Sequence, residues 1–115
     1  MTYQWNIFWA DLNPIKGSEQ AGKRPVLVIS EEAVNQALPL VSILSLTAFK
    51  PGRKIYPIEV LIEPSDSSLP QTSIVMAHQI RSISKERLGE KCGYINNQDC
   101  REKIKNIIKI YLDLD

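Results

Sequence analysis

The chain has 115 residues, 43% of them hydrophobic and 23% charged, with a net charge of +1 at neutral pH. That length suits a single domain, residues 1–115, able to bury a core without staples, and the near-neutral balance argues against a non-specific polyelectrolyte binder. No run approaches the roughly eighteen apolar residues that a membrane span needs. Met1-Thr2-Tyr3-Gln4-Trp5 lacks the basic-then-apolar layout of a secretory signal, so a cytoplasmic protein is expected.

Trp5 to Leu12, rich in aromatic and β-branched residues, predicts a first strand, and Trp5 offers an aromatic face for packing or for stacking on a base. Asn13 to Pro25 follows as a polar, glycine-punctuated loop, longer than the roughly two to five residues of a tight hairpin. It carries Lys16, Glu19, Gln20, Lys23 and Arg24, the last at the mouth of the next strand. Long polar loops at the ends of rigid strands concentrate binding and chemistry; a solvated hairpin is the plainer alternative. Pro25 to Ser30 reads as a strand buried on both faces, and Glu31 to Gln36 as one helical turn.

Leu40 to Ala48 is the next strand, with Ser42, Ser45 and Thr47 spaced among aliphatics. The basic connection Lys50-Pro51-Gly52-Arg53-Lys54 leads into a strand over Ile55 to Ile62, where Pro57 implies an edge or strand-entry position. Pro64 to Pro70 is a connection. Thr72 to Ala77 and Gln79 to Ser82 predict short strands, continuous through a bend. Ser84 caps a helical turn through Leu88, and Glu90 to Ile95 is a last strand.

The C-terminus changes period. Cys100, Ile104, Ile107, Ile108 and Tyr111 recur at spacings of three and four, one face of a helix, with Asn96 and Asp99 as a weak capping box. Five to seven short strands closed by one amphipathic helix predict a mainly β fold, a small barrel or half-barrel.

The two cysteines, Cys92 and Cys100, fit no zinc spacing, and His78 is the single histidine, so no metal and no cofactor is expected. Both cysteines read as small core residues. P-loop, dinucleotide-binding and nucleophile-elbow patterns are absent. What remains is a phosphate-recognition set: Arg24, Thr47, Lys50, Arg53, His78 and Arg81, with the amides and hydroxyl of Gly17-Ser18. Arg24 precedes Pro25, which biases it to extended backbone at a strand entrance, where a guanidinium can hold a phosphate through two parallel hydrogen bonds. A structural ion pair is its alternative, and a backbone hydrogen bond that of Thr47.

Asp11-Leu12-Asn13-Pro14, then Gly17-Ser18-Glu19-Gln20-x-Gly22-x-Arg24-Pro25, Leu46-Thr47, Gln79-Ile80-Arg81-Ser82-Ile83 and Lys85-x-Arg87-Leu88 resemble the MazF/PemK family of bacterial toxins in order and approximate spacing. The resemblance runs from about Phe8 to the C-terminal helix. It implies an SH3-like barrel with a C-terminal helix, a homodimer, and a metal-independent, ribosome-independent endoribonuclease of a type II toxin–antitoxin pair. Such enzymes cut single-stranded mRNA at short sequences, leaving a 2′,3′-cyclic phosphate and a 5′-hydroxyl. It also implies an antitoxin whose partly disordered, acidic segment occupies the RNA groove.

On the matching positions Arg24 and Thr47 take the catalytic places. The expected RNA-binding residues are Lys16, Gly17, Ser18, Glu19, Gln20, Lys23, Lys50, Arg53, Gln79 and Arg81. Some relatives have an acidic residue where this chain has His78, which makes His78 a candidate general base or base-stacking contact. The same fold also serves non-enzymatic toxins that bind DNA gyrase, and an inactive SH3-like binding module is a third reading.

Overall fold

The computed structural model describes residues 1–13, 16–19 and 22–115. Six strands, β1 (Asn6–Asp11), β2 (Lys23–Val28), β3 (Leu40–Ala48), β4 (Glu59–Ile62), β5 (Ser73–Ser84) and β6 (Leu88–Tyr94), form one sheet in the order β4-β5-β3-β2-β1-β6. Every adjacent pair is antiparallel. Helix α1 (Glu32–Ala37) joins β2 to β3, the single turn α2 (Pro64–Ser67) joins β4 to β5, and α3 (Gln98–Leu112) closes the chain. This is the mainly β, helix-terminated barrel architecture that the strand pattern predicts.

Strand alternation sorts the core into two clusters. Ile7, Leu27, Leu44 and Leu46 face α3, where they meet Cys100, Ile104 and Ile107. Phe8, Ala10, Val26, Val28, Val41 and Ile43 pack together on the opposite face. β2 is thus buried on both sides, as its unbroken apolar run requires: Val26, Leu27 and Val28 are each 0% exposed.

Several boundaries differ from expectation, each for a local reason. Trp5 adopts a left-handed φ of 66° before β1. Its ring is buried in the α3-side core beneath Arg101, whose guanidinium carbon lies 5.2 Å from the ring centre, so it is not a surface for base stacking. β4 begins at Glu59 rather than Ile55, because a turn closed by Glu59 N donating to Tyr56 O (2.9 Å) takes up Pro57. The Pro64–Pro70 connection opens with α2, where Pro64 begins the turn and left-handed Ser68 ends it. The α3 cap is Asn97, not Asn96: Asn97 Oδ1 accepts from Cys100 N at 3.2 Å. Tyr111 falls beyond the core; the last turn of α3 has Ile110, Tyr111 and Leu112 exposed. Both cysteines are free; Cys100 is buried and Cys92 half-buried, and burial raises both thiol pKa values.

The two strand segments expected around residues 72–82 are one twelve-residue strand, β5. Its pairing with β3 is interrupted: Ile43 pairs with Arg81 but Ser45 with Met76, so two steps along β3 correspond to five along β5. The extra residues bulge from the ladder, which re-aims the side chains they carry.

The N-terminus is held by Glu32 on α1. Its carboxylate accepts from the amides of Tyr3 (3.0 Å) and Gln4 (2.8 Å) and from Gln36 Nε2 (2.7 Å). Burial opposes ionisation, but these donors outweigh it and lower the pKa to about 2. A depressed carboxylate stabilises the fold fully above its ordinary pKa of 4.5 and loses that contribution as pH falls toward about 2. The melting temperature of the wild type is therefore expected to drop between pH 5 and 3 more steeply than that of Glu32→Gln; parallel melting curves would remove this role.

Candidate functional site

The loop between β1 and β2 is mounted on hydrogen bonds from three elements. Leu12 N donates to Gly22 O (3.0 Å), and Gly22 N to Asn13 Oδ1 (3.2 Å). Arg87, at the entrance to β6, donates through Nη1 to Asn13 O (2.6 Å) and Asp11 O (3.2 Å). Lys16 N donates to Glu19 Oε1 (2.7 Å), and Glu19 N to Lys16 O (3.3 Å), closing a turn around Gly17. Gly17 and Gly22 have φ of 58° and 74°, conformations that favour glycine. On the far side, Gln79 Nε2 reaches Ser18 O at 3.5 Å, linking the loop to the β5 bulge.

Arg24 pairs with Ala10 on β1, and Val26 with Ser45 on β3. Continuing that register by two residues sets Arg24 across from Thr47. Both are half-buried. Alternation places Arg24, Ser45 and Thr47 on the sheet face opposite α3, with Val26 and Ile43. The two residues expected to act on a phosphate border one cleft, on strands rather than on the loop.

Next along that face lies a small cavity, about 90 Å³, bordered by Leu12, Glu19, Ser45, His78, Gln79 and Arg81. His78, Gln79 and Ile80 come from the bulge, Glu19 from the loop. The structure thus unites Glu19 with His78, Gln79 and Arg81, which are distant from it in sequence, and adds Ser45, which sequence reasoning passes over. Its only signal is a hydroxyl two residues before Thr47 in an otherwise aliphatic run.

The remaining expected residues divide. Lys16, Gly17, Ser18, Lys23 and Lys50 are exposed, and Gln20 lies outside the described residues. Arg53 is not a freely offered charge. Its Nη1 and Nη2 each bond one oxygen of Glu59 at 2.8 Å, and the Glu59 side chain is only 1% exposed. That fork, aided by Tyr56 N (3.0 Å), anchors the basic loop to β4. The Arg53 hydrogen bonds lower the Glu59 pKa against the effect of burial, with the Tyr56 amide and the charges of Arg53 and His78 adding to them.

Lys23 alternates away from Arg24, onto the α3 side. It borders a cleft of about 320 Å³ with Trp9, Pro25, Leu46, Leu69 and Pro70, which Arg24 and Thr47 also line. Trp9, at 46% exposure, is a surface aromatic that a reading of β1 as a core strand hides. Among the described residues, no group of three or more His, Cys, Asp or Glu side chains is placed to hold a metal ion, and no helix is long and apolar enough to cross a membrane.

The model of the PemK-like, MazF-like toxins of type II toxin–antitoxin systems matches residues 3–112. The chain belongs to this family. An endoribonuclease MazF of Staphylococcus saprophyticus is 37% identical over 114 residues, covering 99% of this chain and 93% of that protein. Among solved structures, a mycobacterial endoribonuclease in complex with its cognate antitoxin superposes with a TM-score of 0.81 at 26% identity, covering 100% of this chain and 98% of that one. A MazF from Deinococcus radiodurans gives a TM-score of 0.80 at 26% identity, over 97% of this chain and 96% of that one. Membership in the MazF/PemK family agrees with the six-stranded sheet and its C-terminal helix, and it gives the pairing of Arg24 with Thr47 a chemical context.

Proposed function

We propose that this MazF/PemK toxin is an endoribonuclease that cuts single-stranded RNA, mRNA above all, at short sequences in the cytoplasm and so arrests translation. The observation that carries this reading is that Arg24, at the start of β2, and Thr47, near the end of β3, border one cleft. In the proposed reaction the ribose 2′-oxygen bonds to the adjacent phosphorus as its proton is removed. The P–O5′ bond then breaks, and the 5′-oxygen takes up a proton, leaving a 2′,3′-cyclic phosphate and a 5′-hydroxyl. The Arg24 guanidinium neutralises the charge that builds on the non-bridging oxygens; a guanidinium stays protonated in proteins and so donates rather than accepts protons. The Thr47 hydroxyl orients one of those oxygens. His78 lines the neighbouring cavity rather than the cleft that Arg24 and Thr47 border, which favours contact with a nucleotide over proton removal.

The protein acts as a homodimer in this reading, and an antitoxin with an acidic, partly disordered segment covers the same groove. Lys50 and Lys54 extend the positive rim, while Arg53 keeps their loop in place. Neutralising both lysines is expected to weaken RNA binding most at low salt and to flatten the slope of log K against log salt by about 0.7 for each phosphate no longer neutralised. An unchanged slope would take that loop out of the groove.

The decisive experiment incubates the purified protein with mixed-sequence single-stranded RNA in EDTA. Discrete cuts bearing cyclic-phosphate ends support the proposal. Intact RNA together with inhibited DNA supercoiling would replace it with the gyrase-binding reading.

A further inference from the structure

The Lys50-Pro51-Gly52-Arg53-Lys54 loop carries its charge on a connection with little backbone support. Phe49 N donates to Thr72 O (2.9 Å) at its entrance. Arg53 N closes a local turn on Lys50 O (3.0 Å), within which Gly52 has a φ of 87°. Among the described residues, the hydrogen bonds that tie the middle of the loop to the sheet run from Arg53 to Glu59, the first residue of β4.

Glu59 organises more than its ion pair. Its carboxylate also accepts from the Tyr56 amide, and the Tyr56 ring centre stands 5.8 Å from the Arg53 guanidinium carbon and 5.3 Å from Lys54 Nζ. One buried carboxylate thus fixes both the side chain that anchors the loop and the ring on which the Lys54 ammonium rests. A buried ion pair of this kind adds little net stability over apolar side chains of similar volume. What it supplies is geometry, because a planar fork held by two parallel bonds sets direction as well as distance. Lys50 and Lys54, on either side of Arg53, stay exposed.

We infer that Glu59 is a positioning residue for RNA capture, which through Arg53 and Tyr56 holds the Lys50 and Lys54 ammonium groups where they meet the phosphate backbone. The inference rests on the ribonuclease reading above. Glu59→Gln separates position from charge. The substitution removes a negative charge beside the loop and loosens Arg53, so charge alone would tighten RNA binding. Loss of position weakens it, because lysines on an untethered loop must be ordered anew at each encounter.

The test measures kcat and KM on a short single-stranded RNA that the wild type cuts, across a salt series, for the wild type, Glu59→Gln and Arg53→Lys, with the melting temperature of each. Both variants are expected to raise KM by about fivefold or more, the order of two exposed phosphate contacts. Their kcat should change little, since the reacting phosphate is assigned to Arg24 and Thr47. The slope of log KM against log salt should flatten by about 0.7 for each lysine that loses its phosphate. Arg53→Lys keeps the net charge and leaves Glu59 a cation, so it carries the test even if Glu59→Gln fails to fold. A KM lowered by Glu59→Gln would overturn the inference, as charge would then outweigh position. So would a KM unchanged in Arg53→Lys, since the fork would then serve only the fold, or a loss confined to kcat. RNA left intact by the wild type would instead strike down the ribonuclease reading.

Discussion

Arg24→Ala is expected to slow RNA cleavage by about a hundredfold or more while leaving the fold intact, the usual consequence of removing one preorganised donor from a transition state. The loss should fall mainly on kcat, because the charge that Arg24 meets grows as the 2′-oxygen attacks. Arg24→Lys should recover part of the rate but not all of it, since an ammonium lacks the planar fork that spans two phosphate oxygens. Single-turnover cleavage of a short RNA, with circular dichroism to check folding, measures both. Arg24 is only half-buried at the start of β2, so truncation opens no core cavity. Cleavage by Arg24→Ala at the wild-type rate would mean that the cross-strand pair with Thr47 is not where the phosphate sits.

Gly93→Ala is expected to cause the largest loss of stability from a single added methyl group. A Cβ at Gly93 would stand 2.4 Å from the Ser67 carbonyl oxygen, 3.1 Å from Ile7 Cδ1 and 3.3 Å from Leu69 Cδ2. The first contact is with backbone fixed by the turn α2, so it cannot be relieved by rotating a side chain. Separating β6 from α2 should cost at least about 2 kcal/mol, which lowers the melting temperature by roughly 10 °C in a domain of this size. A melt within a degree or two of the wild type would show that the strand and the turn part without penalty.

The general architecture is legible because its periodicities are local. The spacing of Cys100, Ile104 and Ile107 names the buried face of α3, and the apolar run at Val26 names a central strand, whatever the rest of the chain does. The ends of elements are less legible. Tyr111 keeps the helical spacing but lies past the edge of the sheet that buries its predecessors. Ile55 looks like strand, yet the Glu59–Tyr56 turn overrides its propensity.

The site is legible residue by residue but not as an assembly. Arg24 stands out as a cation at a strand entrance. Its position across from Thr47 needs the β2–β3 register. The company of Ser45 and His78 needs the β5 bulge; the bend expected between Ala77 and Gln79 falls within it but does not tell what it brings together. Arg53 misleads for the same reason. Its partner Glu59 is six residues away across a turn, and burial of that carboxylate, invisible in composition, turns a surface charge into an anchor.

The interrupted pairing of β3 with β5 also bears on how such a protein changes its preferences. The register on either side of the interruption is set by Val41–Ile83 and Thr47–Ile74, and the span from 77 to 80 adds no rung between β3 and β5. His78 and Gln79 therefore sit on a part of the frame that bears little weight. A library randomised at these two positions should yield many folded proteins that cut at different sequences, whereas one randomised at Val41 and Ile74 should yield few that fold.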